Sequence, residues 1–250
     1  MSPDNKKAGE LVADLATDTG TSTDGGRVWK FTLRDGVKWE NGQPVTCDDV
    51  KYGVSRTFAT DIITDGPTYA ISLLDIPTAK DGSSVYRGPY VVKGNDTAAY
   101  DKAVSCDGST ITFRLKQPQG DFNYTVTLLS FSPVPKAFDS GERYDDHPLS
   151  DGPYKILSYQ KKSKLILVRN SQWSKSVDSY RPAYPDRIEY VEAPAATGLP
   201  PQKDSDTHLN LAGSSDFEHK GLAHDQSHST LPQGSALHLT PGTFPVARSA

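Results

Sequence analysis

Hydrophobic and polar residues alternate between positions 28 and 33. Trp29, Phe31 and Leu33 share one face of this segment, while the residues between them are more polar. A period of two is typical of a strand with one buried face. Asn41-Gly42 then marks a turn, and a second short strand is predicted between residue 33 and the helix that follows.

A helix is predicted to begin after Thr46. Thr46 is a favourable N-cap, and Asp49 stands three residues later as a shorter form of the capping-box partner. Val50, Val54 and Phe58 repeat at intervals of four residues, which gives the helix one apolar face. The segment therefore predicts a strand, a turn and a capped helix in succession.

Similar patterns predict the remaining elements. Ile111, Phe113 and Leu115 alternate with polar residues and indicate a strand. Apolar residues at helical spacing predict a helix over 122–131 that ends before Pro133. A helical turn is expected over 69–74, a helix over 95–104 capped by Asp96 or Thr97, and three further strands over 154–159, 165–169 and 187–192.

The stretch 28–56, VWKFTLRDGVKWENGQPVTCDDVKYGVSR, resembles the signature of extracellular solute-binding proteins of family 5, the peptide and nickel type. Three later motifs extend the resemblance: Pro133-Val134-Pro135-Lys136, Gly152-Pro153-Tyr154, and Arg169-Asn170 followed by Trp173. Ser150 and Asp151 replace a glycine and a threonine of the second motif. The resemblance covers about residues 26–193.

The resemblance implies an α+β (mixed α/β) fold, specifically the first lobe of a two-lobed periplasmic-binding-protein type II-like fold. It implies the substrate-binding component of an ABC importer that captures di- or oligopeptides outside the cell. Nickel, haem, opines and oligosaccharides remain open as ligands. The implied partners are a solute and the importer's membrane permease, with a monomeric, exported and lipid-anchored receptor, no cofactor and no enzymatic activity.

Two rival functions stay open at this point. One is a truncated interaction or scaffold module without a transport role, and the other is an unrelated secreted hydrolase. The hydrolase hypothesis lacks a sequence motif, since GxSxG, P-loop and HExxH patterns are absent. His147, Ser150 and Asp151 are the residue types of a catalytic triad, but adjacency does not make a triad, and the segment is interpreted as a turn that enters a strand.

Composition and charge bear on nucleic-acid binding, membrane insertion and export. The chain has 250 residues, a net charge of -4 and a pI of about 5.9. The absence of a long basic cluster disfavours nucleic-acid binding. The sequence has no apolar run of about 18 residues that could span a membrane, and its first ten residues lack the apolar region of a signal peptide. The resemblance leads us to expect a signal segment and further strands upstream, with Met1 as an artificial or misassigned start.

Cys47 and Cys106 are the two cysteines of the chain. An even count favours one disulfide in an oxidising compartment, which would close a loop of about 60 residues. Two free thiols are the alternative. A zinc site is not predicted, because neither cysteine belongs to a CxxC or HxxxH pattern.

The composition changes at about residue 195. The segment 195–250 contains no Tyr, Trp or Ile and holds five of the six histidines. Such a segment offers too little apolar surface to offset its ordering entropy. We therefore divide the chain into a partial solute-binding lobe, 1–194, and a tail, 195–250, expected to be disordered. The tail is either an out-of-frame translation or the end of a natural truncated paralogue. His224 and His228, four residues apart, do not by themselves predict a metal site.

One residue is a candidate ligand contact. Tyr69 lies in a segment, 66–70, that looks like the loop by which peptide receptors of the family bring an aromatic residue to the ligand. Ordinary packing is the alternative role for Tyr69. Because the second lobe supplies most charged anchors in the family, this chain by itself is expected not to bind a ligand tightly.

Overall fold

A computed structural model describes residues 9–64 and 66–191 of the chain. The strands are β1 (Thr21–Thr23), β2 (Val28–Thr32), β3 (Val104–Asp107), β4 (Thr110–Arg114), β5 (Tyr154–Gln160), β6 (Lys164–Arg169) and β7 (Arg187–Val191). The α-helices are α1 (Cys47–Arg56), α2 (Tyr69–Leu73), α3 (Thr97–Ala103) and α4 (Phe122–Thr125). Short 3-10 helices span Asp24–Gly26, Leu129–Phe131, Lys136–Phe138 and Gly141–Asp146. This mixture confirms the predicted α+β class. The proposed tail, 195–250, lies outside the described residues.

The first sheet is antiparallel, with strand order β1-β2-β4-β3. Its register pairs Trp29 with Phe113 and Phe31 with Ile111. These four side chains are buried and form the centre of the main hydrophobic core. The alternation seen in the sequence thus corresponds to a sheet with one face packed inward.

Helix α1 packs beside this sheet, and its start has the predicted form. Thr46 accepts a hydrogen bond from the amide of Asp49, and the Asp49 carboxylate accepts one from the amide of Thr46, which completes a capping box. Val50, Val54 and Phe58 are all buried in the main core. Phe58 lies two residues beyond the last helical residue, so the apolar face continues past the helix.

A disulfide joins α1 to the first sheet. The sulfur atoms of Cys47, the first residue of α1, and Cys106 in β3 are bonded, with Cα atoms 5.9 Å apart. The bond closes a loop over a sequence separation of 59 residues. It ties the capped end of the helix to the edge strand of the sheet.

The second sheet is a smaller antiparallel sheet of order β5-β6-β7. The hairpin β5–β6 and the strand β7 were all predicted. Ile156, Leu167 and Ile188 occupy one cross-strand row, because Ile156 pairs with Leu167 and Leu167 pairs with Ile188. This row, together with Leu165, supplies the apolar face of the sheet.

Two predicted elements differ in the structure. The helix expected over 122–131 is interrupted, since Leu128 adopts an extended backbone with ψ of 152° between α4 and the next 3-10 helix. Leu129 consequently points away from the core and is 43% exposed, although Phe122 and Val126 are buried. The second short strand before α1 is reduced to an isolated bridge between Lys38 and Pro44.

Polar contacts join the two sheets. The Arg181 guanidinium forms two hydrogen bonds, of 3.0 and 2.6 Å, to the carboxylate of Asp14 in the segment before β1. The Glu40 amide donates to the carbonyl oxygen of Ser150, and the Ser150 amide donates to the Glu40 carboxylate. The last two contacts fix the segment that enters β5 against the loop that precedes α1.

Among the helices of residues 9–64 and 66–191, none combines the length and the apolar character that a membrane span requires.

Candidate binding cavity

A cavity of about 750 Å³ lies between the second sheet and helix α1. Its volume falls within the range of small-molecule sites in proteins. One wall comes from the second sheet, and the other comes from α1 and the segments 62–64, 66–67, 129–134 and 141–153. Most of the lining side chains are apolar.

The sheet wall is the cross-strand row Ile156, Leu167 and Ile188. Side chains in such a row point to the same face because residues of a strand alternate between its two sides. Ile156 and Leu167 are buried, while Ile188 in the edge strand is partly exposed. The sequence pattern of β5, β6 and β7 therefore builds a continuous apolar surface.

The opposite wall depends on a close approach between α1 and the segment 132–134. The Val134 amide donates to the Asp49 carbonyl oxygen at 2.9 Å. Gly53 permits this approach, since a Cβ atom at that position would lie 2.0 Å from the Ser132 carbonyl oxygen. Gly53, Ser132, Pro133 and Val134 all line the cavity. The Pro-Val-Pro-Lys motif thus follows the helix closely.

A buried ionic network supports the wall at the end of α1. The Asp139 carboxylate, with a side chain 1% exposed, accepts hydrogen bonds from the hydroxyls of Tyr52 and Tyr90 and lies 3.2 Å from Arg56 Nε. The Arg56 guanidinium also stacks on the ring of Tyr144 at 4.8 Å. Burial raises the pKa of Tyr52 well above its ordinary value, and the hydrogen bond to Asp139 raises it further. Both tyrosines therefore remain neutral donors to Asp139.

A second ionic cluster holds Arg181 at the cavity. Besides its contacts to Asp14, Arg181 lies 2.9 Å from Asp178, whose other carboxylate oxygen accepts from the Trp173 indole. Burial by itself lowers the pKa of the Arg181 guanidinium, but Asp14 and Asp178 outweigh it and raise that pKa. Arg181 thus serves to join the two sheets at the cavity.

None of the site residues predicted from the sequence, namely Tyr69, Cys47 and Cys106, lines the cavity. Tyr69 begins α2 and is 50% exposed. It is not among the lining residues, although Gly66 and Pro67 are. Its role as a ligand contact remains a prediction. The structure places Cys47 and Cys106 at the disulfide, away from the cavity lining.

The residues of triad type do not form a nucleophile–base pair in the described structure. The Ser150 hydroxyl donates to the Tyr154 carbonyl oxygen at 2.6 Å. His147 Nε2 instead lies 4.0 Å from the Glu40 carboxylate. Within 9–64 and 66–191, no group of three or more potential ligand residues is placed to hold a metal ion. His224 and His228 lie outside those ranges.

Sequence reasoning missed Arg56 and Arg181. Each has a partner that is distant in sequence, with separations of 85 residues from Arg56 to Gly141 and 167 from Arg181 to Asp14. A lone arginine in a polar segment carries no periodic signal. Only the burial of opposite charges in the folded chain distinguishes these two from other basic residues.

Comparison with known proteins gives a family for this architecture. A family model for the middle part of bacterial extracellular solute-binding proteins, family 5, matches residues 10–217. The chain belongs to this family. The match confirms the resemblance and extends beyond residue 195, where the composition changes.

Similar curated proteins include the oligopeptide-binding protein OppA of Bacillus subtilis (strain 168), which is 29% identical over 67% of this chain and 29% of its own length. The periplasmic murein peptide-binding protein MppA of Escherichia coli (strain K12) is 27% identical over 66% of this chain and 29% of its own length. This chain therefore spans less than a third of the length of these two curated relatives.

Solved structures of similar proteins agree with the fold. The structure of a clavulanic acid biosynthesis oligopeptide binding protein 2 is 37% identical, with a TM-score of 0.63 over 71% of this chain and 31% of that one. Listeria monocytogenes OppA bound to peptide is 19% identical, with a TM-score of 0.54 over 77% of this chain and 35% of that one. The described residues thus have the fold of one part of a larger binding protein.

Proposed function

We propose that the complete protein carrying this lobe is the substrate-binding component of an ABC importer, and that it captures di- or oligopeptides outside the cell. The proposal is supported chiefly by membership of family 5 together with the 37% identity to a solved oligopeptide binding protein. Curated relatives with peptide-binding names support the same ligand class.

The finer parts of the proposal follow from the family resemblance. The receptor is exported and lipid-anchored, acts as a monomer, delivers its ligand to a membrane permease and has no enzymatic activity. Residues 1–194 form part of its first lobe, and the change in composition at about residue 195 supports a separate tail over 195–250. Tyr69 contacts the peptide once the second lobe closes, because half of its surface is free to be covered.

Binding of a mixed library of di- to pentapeptides to the complete protein tests this function. Native mass spectrometry should detect peptide adducts, whereas sugars and nickel ions should give none. Failure of every peptide to bind, with the protein folded, would contradict the receptor role and favour the scaffold alternative.

Tyr69→Ala in the complete protein tests the predicted ligand contact. An aromatic contact contributes about 0.5–1.5 kcal/mol, so peptide affinity should fall roughly two- to tenfold. Tyr184→Ala is the matched control, because Tyr184 is also strongly exposed but lies outside the segment 66–70. Equal affinities of the two variants would remove Tyr69 from the site and leave the receptor function untouched.

A further inference from the structure

The charges around the cavity compensate one another. Among the residues that the structure describes, the lining has three basic and three acidic side chains, namely Arg56, Lys155, Arg181, Glu142, Asp145 and Asp151. The Arg56 guanidinium is already paired with Asp139. Arg181 is paired with Asp14 and Asp178. A charged ligand group would lose its hydration here without meeting an excess of opposite charge, which is unfavourable. The lining therefore favours an uncharged group.

Two lining side chains supply apolar surface that a ligand can reach. Ile62 is 37% exposed and Leu129 is 43% exposed, and both line the cavity. They belong to the wall that faces the second sheet, whose own lining is the row Ile156, Leu167 and Ile188. An apolar group that enters between these walls removes apolar surface from water, which stabilises the bound state.

The cavity adjoins the segment 66–70, which carries the predicted ligand contact. Gly66 and Pro67 line the cavity, and Tyr69 is half exposed. Two residues of chain span at most about 7 Å, so the Cα atom of Tyr69 lies within that distance of the Cα atom of Pro67. A peptide that contacts Tyr69 can therefore place a neighbouring side chain in the cavity.

We propose that the cavity is a side-chain pocket that receives large, uncharged, apolar side chains of the bound peptide and selects for them. This inference rests on the proposed function and adds the class of peptide. A cavity of about 750 Å³ is in the range that holds a whole small ligand, so any single side chain fits. Selection is therefore by polarity and not by size.

Alanine tripeptides with one variable residue test this preference. The variable residue is leucine, glutamine, glutamate or lysine at each of the three positions, and affinity for the complete protein is measured by isothermal calorimetry. At one position or more, leucine should bind at least tenfold more tightly than glutamine. The glutamine amide is similar in size but would give up its hydrogen bonds to water in an apolar pocket. Glutamate and lysine should bind more weakly still.

The outcomes separate this inference from the proposed function. Equal affinities for leucine and glutamine at all three positions would overturn the apolar pocket and leave the peptide receptor intact. Tighter binding of glutamate or lysine than of leucine at every position would overturn it as well. Binding of no tripeptide at all would overturn both the pocket and the receptor.

Ile62→Trp tests the location of the pocket. Because Ile62 is partly exposed, a larger side chain can enter the cavity there without displacing the core. The ratio of leucine to glutamine affinity should fall at least threefold, whereas the affinity for trialanine should stay the same. Val92→Trp, at a 92% exposed position outside the lining, is the matched control and should keep the original ratio.

Leu129→Gln provides a second variant, which removes apolar surface from the lining without adding volume. Since Leu129 is largely accessible, the midpoint of thermal unfolding should stay close to that of the original protein. The ratio of leucine to glutamine affinity should fall about threefold or more. An unchanged ratio in both Ile62→Trp and Leu129→Gln would show that selection occurs elsewhere and would overturn the assignment of this cavity.

Discussion

Gly53→Ala should destabilise the protein even though it adds a good helix former to the middle of α1. In an exposed helix, replacing glycine by alanine stabilises by about 0.5–1 kcal/mol. Here the added Cβ would lie 2.0 Å from the Ser132 carbonyl oxygen and 3.1 Å from the Val134 amide nitrogen. Both contacts are with backbone atoms, so neither can be relieved by a change of rotamer.

The size of the destabilisation follows from the distance by which α1 and the segment 132–134 must separate. Separating α1 from the segment 132–134 by about an ångström or more weakens the Val134 amide bond to Asp49, which contributes about 1 kcal/mol. Overpacking of this kind costs typically 1–3 kcal/mol. After subtraction of the gain in helix propensity, we expect a net loss of roughly 1–3 kcal/mol in the free energy of unfolding.

Urea unfolding followed by far-UV circular dichroism measures this loss. Gly120→Ala is the control, because Gly120 is exposed and a Cβ there would meet nothing within 4 Å. A Gly53→Ala variant as stable as the original chain, or more so, would refute the close approach of α1 to this segment. The cavity wall built on that approach would then be wrong as well.

Three further predictions concern the framework. Thr46→Ala should lower the free energy of unfolding by about 1 kcal/mol, because the helix loses its cap, while Thr46→Ser should keep both the cap and the stability. Equal urea midpoints for the original chain and both variants would contradict the capping box. Joint replacement of Cys47 and Cys106 by serine should cost up to about 4 kcal/mol by the chain-entropy model, measured against the oxidised original chain. A loss below about 1 kcal/mol would mean that the bond adds little. Burial raises the pKa of Tyr86 from its ordinary 10.0 to about 12. The folded chain therefore keeps a proton that the unfolded chain releases, so stability should fall as pH rises from about 10 to 12. Tyr86→Phe should show a shallower fall over that window, and an identical pH dependence would exclude Tyr86 as a cause.

Elements with strong periodic patterns were predictable, and elements set by distant contacts were not. The strands β2 and β4 and the start of α1 carry local signals, namely alternation and a capping residue. The helix predicted over 122–131 fails because Leu128 is extended. Tertiary packing overrides local spacing there, since Phe131 must turn into the core beside Phe122 and Phe113.

The candidate site depends even more on long-range contacts. Its sheet wall could have been inferred from the alternation in β5 and β6, since Ile156 and Leu167 belong to predicted strands. The arginines could not, because a guanidinium becomes part of a site only when folding places acceptors around it. Asp139, for example, lies in an irregular segment whose sequence gives no sign that its carboxylate is buried.

The two ionic clusters explain how the lobe keeps an apolar cavity between its second sheet and α1. Apolar walls tend to collapse on each other, since burial of their surface is favourable. The cluster of Arg181, Asp14 and Asp178 joins the sheets at one place, and that of Arg56 and Asp139 fixes the wall at the end of α1. Breaking a buried ion pair leaves an uncompensated charge and is strongly unfavourable. The walls therefore cannot approach each other without disturbing these ion pairs. The ion pairs oppose collapse of the cavity, and the apolar side chains give it its shape.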